Sequence, residues 1–124
     1  MGLFSFSSKP KTNLPWIELT SETQLREAIE SSKDNPVLFF KHSTRCSISS
    51  MALSRFEENW NADNKQCDLY FLDLLEFRPL SNLIAELTHV VHQSPQAIVL
   101  RNKEVVYTAT HSDISASEIE KLLN

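Results

Sequence analysis

The amino-acid sequence predicts an α/β fold in which helices flank a central mixed β-sheet. Three observations carry this prediction. Apolar runs and helical spacings follow one another in the order β-α-β-α-β-α-β-β-α. The apolar run at 37–40 lacks the alternation of a half-exposed strand, so we expect helices on both of its faces. The last two strands are separated by Asn102-Lys103, which indicates an antiparallel hairpin.

Length and composition indicate one soluble domain. The chain has 124 residues, of which 41% are hydrophobic and 23% charged. We assign residues 1–14 to a flexible N-terminal tail and 15–124 to a single domain, which we expect to be monomeric. No apolar run approaches the roughly 18 residues that span a bilayer, so no membrane partner is expected. The net charge of −4 and the lack of a basic cluster disfavour a nucleic-acid partner.

Cysteine and glycine counts narrow the function further. Two cysteines without a disulfide framework favour a reducing compartment, so we expect a cytoplasmic protein. The single glycine, Gly2, leaves no glycine-rich loop that could cradle phosphates. Nucleotide-dependent chemistry is therefore disfavoured. No pair of cysteine and histidine residues has metal-ligand spacing, so no metal site is expected.

The N-terminal half shows three elements in sequence. A short strand at 16–19 precedes a helix that opens on a capping-box pattern at 21–24 and ends near Lys33. The central strand covers 37–42. A second helix with apolar residues at helical spacing then runs to about Trp60.

The C-terminal half completes the order. A buried strand at 67–73 should run parallel to the central strand, and Pro79 suits the start of the next helix. The hairpin strands lie at 97–100 and 105–107, and a last helix covers 115–123. A parallel pair joined by a helix, then a hairpin and a closing helix, is the thioredoxin plan. Because that plan places a cis proline before the hairpin, we predict a cis Ser94–Pro95 bond.

Cys46 is the candidate nucleophile. It follows the central strand and should lie in the first turn of the second helix, with Ser43 or Thr44 as N-cap. Unpaired N–H groups and the helix dipole favour a thiolate at that position, and Arg45 adds a positive charge beside it. A dithiol site would have cysteine at position 49, but the chain has Ser49. A mixed disulfide on Cys46 must therefore pass to another molecule.

The segment His42-Ser43-Thr44-Arg45-Cys46-Ser47-Ile48-Ser49 resembles the active site of the YtxJ-type monothiol bacilliredoxins. The similarity continues through 70–75, Arg78, 94–98 and 111–114. In two places the chain differs, with Arg45 where the family commonly has threonine and Ser47 where it has proline.

The resemblance implies a thioredoxin-like protein that removes the small thiol bacillithiol from protein mixed disulfides. It makes Cys46 the nucleophile and Ser49 the occupant of the absent resolving position. It also implies that Ser94 and Pro95 bind substrate, with Pro95 as a substrate-facing cis proline. It implies no bound cofactor. Its partners would be thiol-modified client proteins and bacillithiol or another low-molecular-weight thiol as co-substrate.

Other interpretations remain open from the sequence. Cys67 begins an apolar strand and is interpreted as a buried structural thiol, with a resolving role as the alternative. His42, His92 and His111 are interpreted as residues making local hydrogen bonds, with proton transfer near the thiol as the alternative. For the whole chain, the alternative is a non-catalytic thioredoxin-like module that binds extended peptides beside Pro95.

Overall fold

The structure, a computed structural model, describes residues 14–63 and 66–123. The order of its elements is the predicted one. The strands are β1 (Ile17–Glu18), β2 (Val37–His42), β3 (Asp68–Asp73), β4 (Gln96–Arg101) and β5 (Glu104–Thr110). The helices are α1 (Glu22–Ser31), α2 (Ser47–Asn59), α3 (Arg78–Thr88) and α4 (Ala116–Glu120), with a 3₁₀ turn at His111–Asp113.

Most of the predicted N-terminal tail, 1–14, lies outside the described residues. Its last residue, Leu14, is described and packs against the core. Within the described part of the chain, no helix is long and apolar enough to cross a membrane.

The five strands form one mixed sheet in the order β1-β3-β2-β4-β5. β1, β3 and β2 are parallel, whereas β4 runs antiparallel to β2 and β5 antiparallel to β4. β2 ends opposite the end of β3, with His42 beside Asp73, and opposite the start of β4, with Lys41 beside Gln96. We call this side of the sheet, where β2 and β3 end and β4 begins, the carboxyl edge.

All six residues of β2 are buried, which confirms that helices cover both faces of the sheet. Because side chains alternate along a strand, Leu38 and Phe40 face one core and Val37 and Phe39 face the other. The first core includes apolar residues of α2 and α4, the second those of α1 and α3. The core therefore surrounds β2 and holds its carboxyl end in a fixed position.

The helix starts follow from local hydrogen bonds. Ser21 caps α1 because its hydroxyl accepts a hydrogen bond from the N–H of Gln24 at 3.1 Å. The Gln24 side chain accepts in return from Thr20, one residue earlier than the standard capping box has it. Ser115 caps α4 in the same way by accepting from the N–H of Glu118. These caps explain where two of the predicted helices begin.

The β4–β5 hairpin turns without glycine. Asn102 and Lys103 have φ values of 54° and 66°, the left-handed conformation that a two-residue type I′ turn requires. The turn is held from α1, because the N–H of Lys103 donates to the hydroxyl of Ser32 at 2.8 Å. The Lys103 ammonium also pairs with Glu30 at 2.8 Å. Hydrogen bonds from Lys103 and Lys33 lower the pKa of the Glu30 carboxyl to about 2.

Candidate active site around Cys46

Cys46 is the N-cap residue of α2, with φ −116° and ψ 118°. The prediction of Cys46 in the first helical turn, capped by Ser43 or Thr44, is therefore wrong. The reason is a tight turn between β2 and α2, in which the N–H of Cys46 donates to the carbonyl of Ser43 at 3.2 Å. The helix begins only at Ser47, and the Cys46 carbonyl accepts its bond from Ser50 at 3.1 Å.

The N-cap position still suits a reactive thiol. It lies next to the first-turn N–H groups that have no partner within the helix, where the helix dipole favours negative charge. Cys46 is half-buried, whereas Thr44 and Arg45 are exposed. A reagent can therefore reach the sulfur from the carboxyl edge, and Arg45 places its positive charge in the same turn.

Ser49 fills the position of the absent resolving thiol with a buried hydroxyl. Its oxygen accepts a hydrogen bond from the N–H of Ser43 at 3.0 Å and lies 2.7 Å from Nδ1 of His42. Burial lowers the pKa of His42, which the charge of Asp73 only partly opposes, so the imidazole is neutral at pH 7. The hydrogen bonds therefore connect His42 through Ser49 and Ser43 to the backbone of Cys46.

We expect Ser49→Ala to destabilise the protein by about 1–3 kcal/mol, because it leaves the N–H of Ser43 and Nδ1 of the buried His42 without their partner. Urea unfolding followed by fluorescence measures this change. Ser50→Ala is the matched control, since Ser50 is the next residue of the same helix and is exposed. An equal effect of both substitutions would show that the Ser49 hydroxyl supports nothing.

Pro95 lies beside the end of β2. The Ser94–Pro95 bond is cis, which confirms the prediction. Gln96 pairs with Lys41, so Pro95 comes next to the strand end from which the Cys46 turn departs. The Pro95 carbonyl accepts from the N–H of His111 at 3.1 Å. The Ser94 hydroxyl is buried and has no hydrogen-bond partner in the described part of the chain.

Cys67 lies at the other edge of the sheet. It precedes Asp68, which pairs with Val37 at the start of β2. Cys67 is therefore separated from the Cys46 side of the sheet by the length of β2, which is about 17 Å at the rise of a strand. A disulfide needs Cα atoms within about 7 Å of each other. Burial, with a contribution from Asp68, raises the pKa of the Cys67 thiol to about 12. Cys67 is a buried structural thiol and does not resolve Cys46 within one molecule.

The three histidines do not gather at the thiol. His42 contacts Ser49 on the α2 side of the sheet. His92 instead lies 3.0 Å from the Ser81 hydroxyl of α3. His111 has φ 54° and accepts a hydrogen bond from Arg55 through its carbonyl. The structure therefore supports the interpretation that these three histidines make local hydrogen bonds.

Two buried polar residues of the carboxyl edge, Lys41 and Gln96, are not among the site residues that the sequence predicts. Lys41 is fully buried, and its ammonium donates to the carbonyl of Ser81 at 3.1 Å. Burial lowers the Lys41 pKa to about 8. A lysine inside a strand predicted to be covered on both faces was the signal that could have identified it.

Chemically, the site offers one accessible thiol at the start of a helix beside a cis proline. Among residues 14–63 and 66–123, no group of three or more histidine, cysteine, aspartate or glutamate side chains could hold a metal ion. The sulfur of Cys46 is therefore the reactive group of the site.

Comparison with known proteins agrees with this geometry. Residues 17–119 match the family described as monothiol bacilliredoxin BrxC. A solved structure described as a proposed oxidoreductase with a thioredoxin fold is 35% identical, has a TM-score of 0.72 and matches over 86% of this chain and 91% of its own.

The solved thioredoxin structures are similar to this chain in fold alone. The Malassezia sympodialis protein is 18% identical with a TM-score of 0.64, over 86% of this chain and 85% of its own. The Schistosoma mansoni protein is 18% identical with a TM-score of 0.61, over 87% and 92%.

The family match runs from β1 into α4 and includes Cys46, Ser49 and Pro95. Together with the thioredoxin-like sheet, it identifies a thiol–disulfide oxidoreductase and disfavours a non-catalytic binding module. The chain belongs to the monothiol bacilliredoxin family.

Proposed function

We propose that the protein removes bacillithiol, or a similar low-molecular-weight thiol, from mixed disulfides of cytoplasmic client proteins. The observation that supports this best is the isolation of Cys46. The position three residues later holds the buried Ser49 hydroxyl, and Cys67 lies at the opposite edge of the sheet. A mixed disulfide on Cys46 must therefore be reduced by a thiol of another molecule, as in a monothiol enzyme.

The first step transfers the small thiol. The Cys46 thiolate attacks the bacillithiol sulfur of the capped client, a new disulfide forms between Cys46 and bacillithiol, and the client cysteine leaves as a thiolate that takes a proton from water. In the second step the thiolate of another bacillithiol attacks the bacillithiol sulfur on Cys46. Cys46 leaves as a thiolate, and the product is bacillithiol disulfide. Both steps exchange one disulfide for another, so no other oxidant is needed.

The residues around Cys46 have separate roles in this proposal. Ser43 and Ser49 hold the turn, and Thr44 and Arg45 flank the incoming disulfide. The backbone of Ser94 and Pro95 binds the client segment. One protein molecule carries the complete set, so we propose that the enzyme acts as a monomer.

Exposed apolar side chains surround the site and suit contact with a client protein. Ile48, in the first turn of α2, is 54% exposed, and Val91, before β4, is 78% exposed. Leu75 follows β3 at the same edge and is also exposed. Burying such side chains against a protein is favourable, whereas a small thiol is too small to cover them all.

We expect the double substitution Ile48→Ser and Val91→Ser to lower kcat/KM for a bacillithiol-capped protein about tenfold, because partial burial of two such side chains is worth about 1–2 kcal/mol. The rate with a small aromatic disulfide should not change. Val106→Ser is the control, since Val106 is exposed on β5 away from the carboxyl edge. Equal losses with the protein and the small disulfide would contradict the docking role.

The proposed function is tested by turnover. A model protein capped with bacillithiol, glutathione or coenzyme A is incubated with the enzyme and the matching free thiol, and intact mass follows removal of the cap. We expect the bacillithiol cap to be removed fastest, and only slowly without free thiol. Removal of no cap, or full turnover without free thiol, would contradict the proposal.

A further inference from the structure

Lys41 is a fully buried lysine on the central strand, one residue before His42. Its side chain faces α3, on the opposite side of the sheet from the His42–Ser49 pair. The ammonium donates to the Ser81 carbonyl at 3.1 Å and lies 3.2 Å from Nδ1 of His92. Burial is what lowers its pKa, to about 8, and no carboxylate in the described chain raises it. Burying an ammonium group without a carboxylate partner costs free energy, which indicates that Lys41 has a functional role.

The partner His92 belongs to the loop that leads to the cis proline. Two neighbouring side chains of the sheet bind this loop, Val91–Pro95. Lys41 contacts His92, and Gln96, which pairs with Lys41 across β2 and β4, binds the residues on either side. The Gln96 amide donates to the carbonyl of Val91 at 2.9 Å and accepts from the N–H of Gln93 at 3.3 Å. Three consecutive loop residues are therefore attached to the sheet.

We propose that Lys41 is a positioning residue for the thiol-exchange reaction: its ammonium holds His92 and thereby fixes the Val91–Pro95 loop beside Cys46. The inference rests on the proposed function in one respect, namely that a client segment binds along this loop. β2 thus positions both parts of the site. Its end leads into the turn that contains Cys46, and its Lys41 binds the Val91–Pro95 loop.

The contact requires a defined protonation state of His92. An ammonium group only donates, so Nδ1 of His92 must carry its lone pair and the ring proton must lie on Nε2. The groups that face His92 are Lys41 from β2 and Ser81 and Arg78 from α3. Burial and the two positive charges lower the His92 pKa. The contact is therefore present above this lowered pKa and is lost as the pH falls through it.

The first test is spectroscopic and needs no substrate. In wild-type protein, ¹⁵N NMR of the imidazoles should show the Nε2–H tautomer of His92 and a pKa below the ordinary range. Lys41→Met should raise the His92 pKa and accelerate amide exchange at Gln93. Lys121→Met is the control, because Lys121 is exposed on the surface of the protein. An unchanged His92 pKa in Lys41→Met, or an Nδ1–H tautomer in wild type, would overturn the proposal.

The second test separates positioning from folding. Lys41→Met and His92→Ala should each raise KM for a bacillithiol-capped protein about tenfold, the value of one hydrogen bond to a charged group, with the rate toward 2,2′-dithiodipyridine unchanged. The double variant should be no worse than the single ones, since both remove one contact. Lys41→Met should unfold at the same or a higher urea concentration, because it removes a buried charge. Parallel loss of stability and of both rates would show that Lys41 only supports the core, and would overturn the proposal.

The two tests also distinguish this inference from the proposed function. Wild-type protein that removes no bacillithiol would contradict the proposed function, while the tautomer, the pKa and the Gln93 exchange would still decide whether Lys41 holds the loop. A normal wild-type rate with an unchanged KM in both variants would contradict the positioning role alone.

Discussion

Cys46→Ser is expected to reduce removal of bacillithiol from a capped protein to the uncatalysed rate. A serine hydroxyl is not ionised near neutral pH and does not displace a thiolate from a disulfide. The other cysteine cannot take over, since Cys67 is buried with a pKa raised to about 12 and lies at the opposite edge of the sheet. Intact-mass analysis of a capped client over time, with free bacillithiol present, measures the loss.

Cys67→Ala is the matched control for this experiment. It should keep most of the activity and lower the free energy of unfolding by about 1 kcal/mol, the usual cost of trimming a small buried side chain. Urea unfolding of the variant shows whether it is folded under assay conditions. A folded Cys67→Ala that is as inactive as Cys46→Ser would contradict the monothiol mechanism and make Cys67 the resolving thiol.

Ser49→Cys is expected to change the mechanism itself. Position 49 lies three residues after Cys46, in the first turn of α2. The radius and rise of an α-helix place Cα atoms three residues apart about 5 Å from each other, within the roughly 4.4–6.8 Å range of a disulfide. The introduced thiol should therefore attack the mixed disulfide on Cys46 and release bacillithiol without an external thiol.

Thiol counting and intact mass after mild oxidation measure this change, with loss of two hydrogens for an internal disulfide. A single turnover on the capped client should then proceed without added bacillithiol. Ser54→Cys is the control, since it adds an exposed thiol to the same helix two turns from the site. Ser49→Cys that keeps both thiols free under oxidant would show that the residue at position 49 alone does not set the monothiol behaviour.

The order of elements could be predicted because each has a local signal. Apolar runs, helical spacing and the capping serines Ser21 and Ser115 depend on near neighbours in the chain, and these neighbours are in the sequence. The asparagine–lysine pair at the hairpin also lies between two recognisable strands. The cis Ser94–Pro95 bond was predicted from its place in the element order rather than from its own residues.

The start of α2 shows where local signals mislead. Ser43 and Thr44 have the side chains of good N-caps, but Ser43 is bound in the turn to Cys46 and to Ser49 instead. The Ser43 carbonyl accepts from the N–H of Cys46, three residues later, and so closes a turn where a helix would need a bond from four residues later. The sequence predicts a nucleophile at the end of the central strand, but the helix begins after Cys46 rather than before it.

The sequence by itself determined the α/β order, the buried central strand, the thiol at its end and the absence of cysteine at position 49. Only the tertiary structure decided which polar side chains meet at the carboxyl edge of the sheet. Lys41 and His92 are 51 residues apart, and they meet because β2 and the loop before β4 reach the same edge of the sheet. Alternation along β2 sends the neighbouring Lys41 and His42 to opposite faces, so adjacent residues support different sides of one site.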